Sequence, residues 1–355
     1  MNIAIIAPVW IPVPPEGYGG IERLLKLLVD ELVRMGQQVT LFAAGDSKTL
    51  ARQVIFFEEA PTLCMGDVIY DAIHVGKAYK AIAGENFDIV HDHAGFLGPA
   101  FASLMPQPVV HTLHGPFIPE ISMFYSAFRN DCYYVAISKR QQEMGPELNY
   151  LGVVSNAVDM EEHRYASEKD DYLVNVGRIC EAKGTETAIR LALEKGKRIV
   201  LAGKIDAGRD MEYFDAKIRP LVDGDRVVYR GEVTQQEKID ILSRARAFIF
   251  PIQWEEPFGL VMVESLACGT PVLATRLGAA PEVIEQGVTG FLGDTPEELA
   301  NYIDRIDELD PLACRREAEK RFSPSVMAEA YLGVYNRAIA LHKAKLHKTA
   351  SSLTS

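Results

Sequence analysis

The sequence from residue 247 to residue 274 is AFIFPIQWEEPFGLVMVESLACGTPVLA, and the prediction of the fold begins from it. It begins and ends with apolar, β-prone segments, residues 247–251 and 271–274, which are typical of buried parallel strands. A helix is predicted between them, with Pro257 near its first turn, where a missing N–H costs nothing. Gly269 follows this helix and suits a left-handed C-terminal cap. The stretch is therefore predicted to be a strand-loop-helix-strand unit of an α/β domain.

The same stretch carries groups from which a binding site can be built. Glu256 lies in the predicted loop, and Glu264 lies on the predicted helix. Gly259 lets a ligand approach the backbone at the helix N-terminus, where free N–H groups and the helix dipole attract an anion. A carboxylate, an anion site and a second carboxylate in succession could hold a sugar, a diphosphate and a ribose in a row.

The rest of the second half repeats the alternation of strands and helices. Arg178 and Lys183 flank one short loop between a strand and a helix, which is the geometry of a phosphate clamp, with two solvated cations as the alternative. Thr234 is predicted to cap a helix, with Glu237 at the capping-box position. The further strands predicted in this half are residues 172–176, 199–204, 227–233 and 289–292.

The first half begins with a strand, a long loop and a helix, which predicts a Rossmann-like unit. The loop, residues 8–20, is rich in proline, glycine and aromatic residues and is too long for a simple connection. Gly17 and Gly19 match the first two glycines of a dinucleotide-binding fingerprint, but Glu22 occupies the third position. The sequence therefore favours an anion site at the start of this helix over a dinucleotide site, with a plain tight turn as the alternative.

Histidines follow two of the predicted strands in the first half. His91 and His93 come after one strand, and His114 comes after the next. Open α/β sheets bind ligands at the C-terminal ends of their strands, so these side chains are predicted to form hydrogen bonds with a substrate. A metal site is the weaker interpretation, because no third ligand is near in sequence. Asp223-Gly224-Asp225 fits a D-x-D metal motif formally but is typical of a turn.

Composition and charge limit the kinds of protein to which this chain can belong. The chain has 355 residues, 48% apolar and 24% charged, which favours two globular domains. The net charge is −12, split evenly between the halves, so there is no basic excess for nucleic acid, and at most weak membrane association is expected. Five scattered cysteines favour free thiols in a reduced compartment. The apolar N-terminus lacks a basic region and is predicted to be a strand rather than a signal peptide, so the expected location is cytoplasmic.

Two Rossmann-like halves with these loops resemble the retaining family 4 glycosyltransferases. These enzymes have the GT-B architecture, in which two Rossmann-like domains face each other across a cleft. The most specific match is the E-x7-E signature, which is Glu256 and Glu264 here. The segment from Gly177 to Gly184, the Gly19-Gly20 loop and the His114-Gly115 pair also match. The resemblance covers nearly the whole chain.

The resemblance implies a role for each matched residue. Glu256 is expected to hold donor-sugar hydroxyls, and Glu264 is expected to accept hydrogen bonds from the ribose. Arg178 and Lys183 are expected to neutralise the diphosphate, and His114 to touch the sugar near the reacting carbon. The implied catalytic residues are His114, Glu256, Arg178 and Lys183; the donor-binding residues are Gly19, Gly20, Gly177, Arg178, Lys183, Arg230, Val233, Glu256, Phe258, Gly259, Leu260 and Glu264; the acceptor-binding residues are Tyr18, His91 and His93.

The resemblance also implies how the reaction proceeds. The transferred sugar keeps its anomeric configuration, and the leaving phosphate accepts the proton of the acceptor. The two glutamates are therefore not expected to act as the acid and nucleophile of a glycosidase. No cofactor and no metal ion is expected, because cationic side chains and helix N-termini can neutralise the diphosphate.

The expected domains are an acceptor-binding domain at 1–156 and a nucleotide-sugar-binding domain at 157–322. A C-terminal helix at 323–346 is expected to pack back on the N-terminal domain, followed by a disordered tail at 347–355. The expected partners are a UDP-sugar or GDP-sugar donor, with UDP-glucose favoured over GDP-mannose, and a sugar or small-molecule acceptor. The alternatives are a glycoside phosphorylase or a sucrose- or trehalose-type synthase on the same fold, or a catalytically silent module that binds nucleotide sugars.

Overall fold

The computed structural model describes the backbone of residues 1–17 and 19–353 and the side chains of residues 1–17 and 19–348. Contacts within the chain divide it into two units. Unit 1 comprises Met1–Asn156 together with the chain from Pro324 onward, and unit 2 comprises Ala157–Ser323. The domain limits expected from the sequence, 156/157 and 322/323, lie within one residue of these divisions.

The described part of unit 1 contains a sheet of seven strands. They are β1 Asn2–Ile6, β2 Gln38–Ala43, β3 Arg52–Ile55, β4 Ile89–Asp92, β5 Val109–Thr112, β6 Tyr133–Ala136 and β7 Tyr150–Val153. All pair in parallel, in the order β3-β2-β1-β4-β5-β6-β7. The central strands β4 and β5 are buried along their whole length, as expected of a parallel sheet that is covered on both faces.

Helices connect most of these strands, and β2 and β3 are joined by a loop. The first, α1, buries Leu24, Leu25, Leu28 and Leu32, whose spacing is that of one helix face. In α2, Asp67 caps the N-terminus by accepting a hydrogen bond from the N–H of Ile69. The helices of this part of unit 1 are α1 Gly20–Arg34, α2 Val68–Ala83, α3 Gly98–Ala102, α4 Pro119–Ala127 and α5 Lys139–Met144.

Unit 2, every residue of which is described, contains a parallel sheet of six strands. They are β8 Tyr172–Val176, β9 Arg198–Ala202, β10 Val227–Tyr229, β11 Ala247–Phe250, β12 Val272–Thr275 and β13 Gly290–Gly293, in the order β10-β9-β8-β11-β12-β13. The helices are α6 Thr185–Glu194, α7 Arg209–Tyr213, α8 Gln235–Arg244, α9 Leu260–Ala267, α10 Ala280–Val283, α11 Pro296–Ile303 and α12 Pro311–Phe322. The predicted capping box of α8, between Thr234 and Glu237, is confirmed.

The strand order places a topological switch point in each unit. In both sheets the chain first adds strands on one side of the first strand and then continues on the other side, which is the Rossmann order. The direction reverses between β1 and β4 in unit 1 and between β8 and β11 in unit 2. Ligands of such sheets bind outside the C-terminal ends of the strands at this point. The prediction of two Rossmann-like domains is confirmed, and each has one expected location for a site.

The last helix, α13 Pro324–Leu353, belongs to unit 1, where it packs on α1, β4, β5 and β7 as predicted. Tyr331 and Tyr335 on this helix are fully buried. The predicted helix end at residue 346 and the disordered tail from 347 are wrong as far as Leu353, because no glycine or proline interrupts the helix-forming residues after Gly333. Residues 354 and 355 lie outside the described residues. Among the described helices, including this long one, none has the length and apolar character needed to cross a membrane.

The stretch from residue 247 to residue 274 differs from its prediction at one end of its helix. The helix between β11 and β12 starts at Leu260, so Pro257 lies in the preceding loop and not near the first helical turn. The cause is Gly259, whose left-handed backbone (φ 80°) ends the loop directly before the helix. The other end is confirmed: the N–H groups of Gly269 and Thr270 donate to the carbonyls of Leu266 and Ser265, which is a Schellman cap.

Candidate active site

The loops that follow β8 and β11 meet at the switch point of unit 2. The N–H of Gln253 donates to the carbonyl of Ala182 over 2.9 Å, which joins the loop after β11 to the loop after β8. The loop after β8 contains the 3₁₀ turn Glu181–Lys183, and the loop after β11 contains Trp254 and Glu256. The sheet order therefore brings two of the predicted motifs to one edge.

Lys183 and Glu256 form an ion pair at this edge. The Lys183 ammonium contacts Oε2 of Glu256, and the indole N–H of Trp254 donates to the same oxygen over 3.0 Å. The ammonium also lies 4.9 Å from the ring centroid of Trp254 and 5.4 Å from that of Phe250, within the range of cation–π attraction. Glu256 is only 8% exposed. The pair is thus largely withdrawn from water, and Trp254 is a member of the site that the sequence did not predict.

The main chain of Glu256 is held by the segment that leads into α10. The N–H of Ala279 donates to the carbonyl of Glu256 over 2.9 Å, and the N–H of Gly278 donates to the carboxylate of Glu255 over 3.0 Å. A Cβ atom on residue 278 would lie 2.3 Å from the Glu256 nitrogen, so this close approach requires glycine. Both the backbone and the carboxylate of Glu256 are therefore fixed before any ligand binds.

The N-terminus of α9 lies directly after this loop. The first N–H groups of a helix have no partner within the helix and carry partial positive charge, so the backbone at Gly259 and Leu260 suits an anion such as a phosphate. Phe258 fits its predicted donor contact only through its backbone. Its side chain is 4% exposed and packs edge-on against Phe322, with ring centroids 6.0 Å apart.

Glu264 lies on α9 and is accompanied by two other side chains. Nζ of Lys238 is 2.7 Å from its Oε1, and Nε2 of His163 is 3.8 Å from the same oxygen. Burial alone would raise the pKa of Glu264, but the positive charge of Lys238 and the contact with His163 outweigh it and hold that pKa well below its usual range. The carboxylate is therefore ionised at neutral pH and can accept hydrogen bonds. The sequence did not predict either partner, because neither stands in a recognisable motif.

Arg178 pairs with two carboxylates in this structure. Its guanidinium lies 3.2 Å from Oδ2 of Asp206 and 3.5 Å from Oδ2 of Asp210, and its side chain is 45% exposed. Each cation of the predicted clamp therefore has a different carboxylate partner, and their joint contact with a diphosphate stays a prediction. An ion pair this exposed contributes little to stability, so a ligand can draw Arg178 away at low cost.

The other predicted donor-binding positions of unit 2 lie at the same C-terminal edge of its sheet. Gly177 directly follows β8, and its N–H donates to the carbonyl of Ala202 over 3.0 Å. Arg230 directly follows β10 and is exposed, and Val233 is half-buried. Their contacts with a nucleotide stay predictions.

In unit 1, the loop after β1 ends at the predicted glycines. Gly19 precedes α1 and Gly20 is its first residue, so the backbone at a helix N-terminus is available for an anion. Glu22 in the first turn is buried, and burial raises its pKa to about 7. Tyr18, which was predicted to bind the acceptor, lies outside the described residues.

Hydrogen bonds connect His114 to the interior of unit 1. Nε2 of His114 is 2.8 Å from Nδ1 of His93, and Nε2 of His93 is 3.1 Å from Nδ1 of His91. Nδ1 of His91 is also 2.6 Å from Oη of Tyr335 on α13, and its Nε2 is 2.8 Å from Oγ1 of Thr112. These five residues are called the histidine network below. The sequence predicted its three histidines but not Tyr335, which is 244 positions from His91.

Burial decides which members of the network can meet a ligand. His91 is fully buried and both of its ring nitrogens are bonded, so the predicted contact with an acceptor does not fit it. His93 is 1% exposed and is likewise bonded at both nitrogens. His114 is partly exposed and bonds to His93 through Nε2 alone; within the described part of the chain its Nδ1 has no hydrogen-bond partner. His114 is therefore the member that can reach a ligand.

Burial also keeps the three rings uncharged. It lowers the pKa of His91 and His93 well below the usual range of histidine, and it lowers the pKa of His114 to about 3. Repulsion between neighbouring histidines adds to this lowering. At neutral pH each ring therefore carries one N–H and one lone pair.

The side chains that could bind a metal ion are not grouped as a metal site requires in the described part of the chain. Among residues 1–17 and 19–348, no group of three or more His, Cys, Asp or Glu side chains could hold an ion. Asp223 accepts hydrogen bonds from the N–H groups of Asp225 and Val227, each over 2.9 Å, so the D-x-D segment is a turn, as predicted.

Family comparisons match the two units separately. The family described as Glycosyl transferases group 1 matches residues 159–322, and Glycosyltransferase Family 4 matches residues 18–161. A D-inositol 3-phosphate glycosyltransferase of Mycolicibacterium smegmatis is 32% identical over 48% of this chain, and the match spans only 41% of that relative. An uncharacterized glycosyltransferase of Methanocaldococcus jannaschii is 24% identical, with 86% of this chain and 89% of that protein covered.

Solved structures match nearly the whole chain. AviGT4, a glycosyltransferase involved in avilamycin A biosynthesis, is 26% identical with a TM-score of 0.71, covering 96% of this chain and 98% of that one. HepE of Anabaena, solved in complex with UDP-glucose, is 19% identical with a TM-score of 0.71, covering 95% of this chain and 100% of that one. At this identity the second likeness speaks for the fold alone.

Proposed function

The chain belongs to the family 4 glycosyltransferases of GT-B architecture, and we propose that it transfers a hexose from a UDP-sugar to a hydroxyl group, with retention of anomeric configuration. UDP-glucose is the favoured donor and GDP-mannose the next. The acceptor is a sugar or another small molecule. No metal ion and no other cofactor takes part in this proposal.

The observation that carries the proposal is the succession of groups along the loop before α9 and along α9 itself. The Glu256 carboxylate is held by Lys183 and Trp254, the helix N-terminus follows it, and ionised Glu264 comes about 6 Å further along the helix axis. A nucleotide sugar has hydroxyls, a diphosphate and a ribose in the same succession. Each group of the ligand would thus meet the chemistry that binds it.

The reaction needs charge stabilisation more than acid-base catalysis. Negative charge grows on the diphosphate as its bond to the sugar breaks, and Lys183, Arg178 and the amides of the α9 N-terminus would stabilise that charge. Lys183 would turn from Glu256 toward the diphosphate, which leaves the Glu256 carboxylate to accept hydrogen bonds from the sugar. The proton of the acceptor hydroxyl would go to the departing phosphate oxygen.

A donor screen tests the proposal. The full chain is incubated with UDP-glucose, UDP-galactose, UDP-N-acetylglucosamine or GDP-mannose and a panel of acceptors, and release of UDP or GDP is measured. D-inositol 3-phosphate belongs in the panel because relatives are named for it. The expected result is acceptor-dependent UDP release, fastest with UDP-glucose, and an α-linked product by NMR.

Two other outcomes would overturn the proposal. Sugar 1-phosphate formed from a glycoside and inorganic phosphate, without release of nucleotide, would identify a phosphorylase. Tight UDP binding without turnover across the whole panel would identify a silent binding module. Inversion in the product would overturn the stereochemistry alone.

A further inference from the structure

The histidine network has a property that follows from counting its protons. Its three rings are neutral, so each contact between two ring nitrogens has one donor and one acceptor. Once the position of one proton is set, the positions of the others follow along the chain from His91 through His93 to His114. Only two arrangements exist, and they differ in whether Nδ1 of His114 carries a proton or a lone pair.

Tyr335 decides between the two arrangements. Its hydroxyl lies 2.6 Å from Nδ1 of His91. A phenol is the better donor of the two groups and an imidazole nitrogen the better acceptor, so the O–H of Tyr335 donates to a lone pair on Nδ1. Burial holds the pKa of Tyr335 well above its usual value, so this proton is always present. The proton of His91 then lies on Nε2, which donates to Oγ1 of Thr112 over 2.8 Å.

The rest of the chain follows from this choice. The single lone pair of Nδ1 of His91 is thus taken by Tyr335, and Nε2 of His93 lies 3.1 Å from the same nitrogen. A proton on Nε2 of His93 turns the positive end of its N–H bond toward this nitrogen, whereas a lone pair there would face like charge, so Nε2 of His93 is the protonated nitrogen. Nδ1 of His93 then has a lone pair, which accepts from Nε2 of His114. Nδ1 of His114 is left with a lone pair.

We propose that Tyr335 acts through His91 and His93 as a positioning residue that holds His114 in the Nε2–H tautomer. Nδ1 of His114 then accepts a hydrogen bond from a sugar hydroxyl. A lone pair at this atom attracts an O–H group and repels an ionised phosphate or carboxylate oxygen, so the tautomer selects which part of a substrate can lie against His114. The identity of the ligand as a sugar rests on the proposed function, whereas the tautomer does not.

Other polar groups packed near the histidine network do not change which of its nitrogens carry protons. Asp92 accepts hydrogen bonds from the hydroxyl of Tyr79 and the N–H of Ala94. His111 contacts the hydroxyl of Tyr125 over 3.2 Å and lies 3.9 Å from Asp92. These contacts form a separate cluster on the other side of β4 and β5, as expected from the alternation of side chains along a strand.

The tautomer can be read directly by NMR. The full chain is labelled with ¹⁵N in its histidine rings, and the eight histidines are assigned by single replacements. The expected spectrum has His114 protonated at Nε2 and unprotonated at Nδ1 at pH 7. A proton on Nδ1 of His114 in the unaltered protein would overturn the proposal.

Two matched variants test the role of Tyr335. Tyr335→Phe removes the donor, and we expect the Nδ1–H tautomer of His114 to become populated and kcat/KM to fall about 2- to 10-fold. Tyr331→Phe removes an equally buried hydroxyl from the same helix, 3.1 Å from Oγ1 of Thr112 at the far end of the network. Thr112 can accept from His91 without it, so the tautomer of His114 should not change.

The outcomes separate this inference from the proposed function. Equal tautomer shifts in both variants, or none in Tyr335→Phe, would overturn the role of Tyr335. The tautomer is measured without substrate, so it holds or fails even if no nucleotide sugar is turned over. Conversely, UDP-sugar turnover with His114 in the Nδ1–H form would overturn the inference and leave the proposed function intact.

Discussion

The two switch points of this molecule share a topology and differ in their charge. In unit 2 the side chains at the site form ion pairs, Lys183 with Glu256 and Lys238 with Glu264. In unit 1 the corresponding edge carries three neutral histidines that bond to one another and to hydroxyl groups. Both edges lie where the Rossmann strand order reverses.

The difference teaches that topology sets the location of a site and burial sets its chemistry. In unit 2 both buried carboxylates, Glu256 and Glu264, have a cation beside them, and the cation could pair with a diphosphate instead. For Glu264 the neighbouring Lys238 helps to hold the pKa well below its usual range, despite burial. In unit 1 burial and the neighbouring histidines lower the pKa of these rings, which keeps them neutral. A neutral network cannot hold a diphosphate by charge, but it can orient a hydroxyl by hydrogen bonds.

The largest expected consequence is a different response of the two units to acid. Unfolded histidines bind protons below about pH 6.5, while the buried ones in the folded state do not, so stability falls as the pH falls through this range. Glu22 and Asp71, whose pKa values are raised to about 7 and about 6, act in the opposite sense and offset part of the loss. We expect unit 1 to lose roughly 2–4 kcal/mol between pH 7 and pH 5. The histidines concerned are His74, His91, His93 and His114.

The two tryptophans allow each unit to be followed by itself. Trp10 lies in unit 1 and Trp254 in unit 2, so Trp254→Phe and Trp10→Phe each leave one fluorophore in the full chain. Urea midpoints are measured at pH 7, 6 and 5. The depressed pKa of Glu264 removes stability from unit 2 only as the pH falls below about 4.5. The urea midpoint reported by Trp254 fluorescence should therefore stay constant between pH 7 and pH 5. A common fall of both midpoints would contradict the comparison.

Replacement of Lys183 tests the charged side of the comparison. Lys183→Ala removes the partner of Glu256 and one expected contact with the diphosphate. A charge-assisted hydrogen bond contributes about 1.5–3 kcal/mol, so kcat/KM for the donor should fall about 10- to 100-fold. The measurement is the initial rate of UDP release over a range of donor concentrations.

Lys195→Ala is the matched control for this prediction. The Lys195 side chain is as exposed as that of Lys183, 19% in each case, and it pairs with Asp304 away from the site. Its replacement removes the same charge from the same unit and should leave kcat/KM unchanged. Similar losses in both variants would mean that the net charge of unit 2, rather than the Lys183–Glu256 pair, governs the rate.

The sequence predicted the charged site of unit 2 better than the neutral site of unit 1. The reason is how far apart along the chain the contacting residues lie. Glu256, Gly259 and Glu264 lie within one short motif, and the order of strands brings Lys183 beside them. The partners that were missed come from elsewhere: Lys238 lies on another helix, and Tyr335 is 244 positions from His91. Contacts of this kind depend on how helices pack, which a local pattern does not specify.

The same limit applies to the fold. Both sheets were predictable because most strands are continuous apolar runs between helices. The strand β3 was missed because it is a partly exposed edge strand with the polar sequence Arg52-Gln53, and β7 was missed because Gly152 interrupts it. The carboxylate partners of Arg178 and Lys183 were likewise not predicted, because they come from other loops and helices of unit 2.

Replacement of Glu264 is the prediction with the smallest expected effect. It tests nucleotide binding alone, because UDP affinity is measured without sugar transfer. Its carboxylate is ionised and lies 2.7 Å from Lys238. If it accepts hydrogen bonds from the ribose, Glu264→Ala should weaken UDP binding about tenfold, and Glu264→Gln should weaken it less because the amide oxygen still accepts. Affinities are measured by calorimetry with UDP alone.

The control is Thr234→Ala, which removes the N-cap of the helix that carries Lys238. This variant is expected to lower the stability of unit 2 by about 1 kcal/mol and to leave UDP affinity near its original value. Equal affinities of Glu264→Ala and Thr234→Ala for UDP would rule out the ribose contact, since both variants would then act only through the packing of α8 and α9. A loss confined to Glu264→Ala would instead assign nucleotide binding to the paired charges of unit 2.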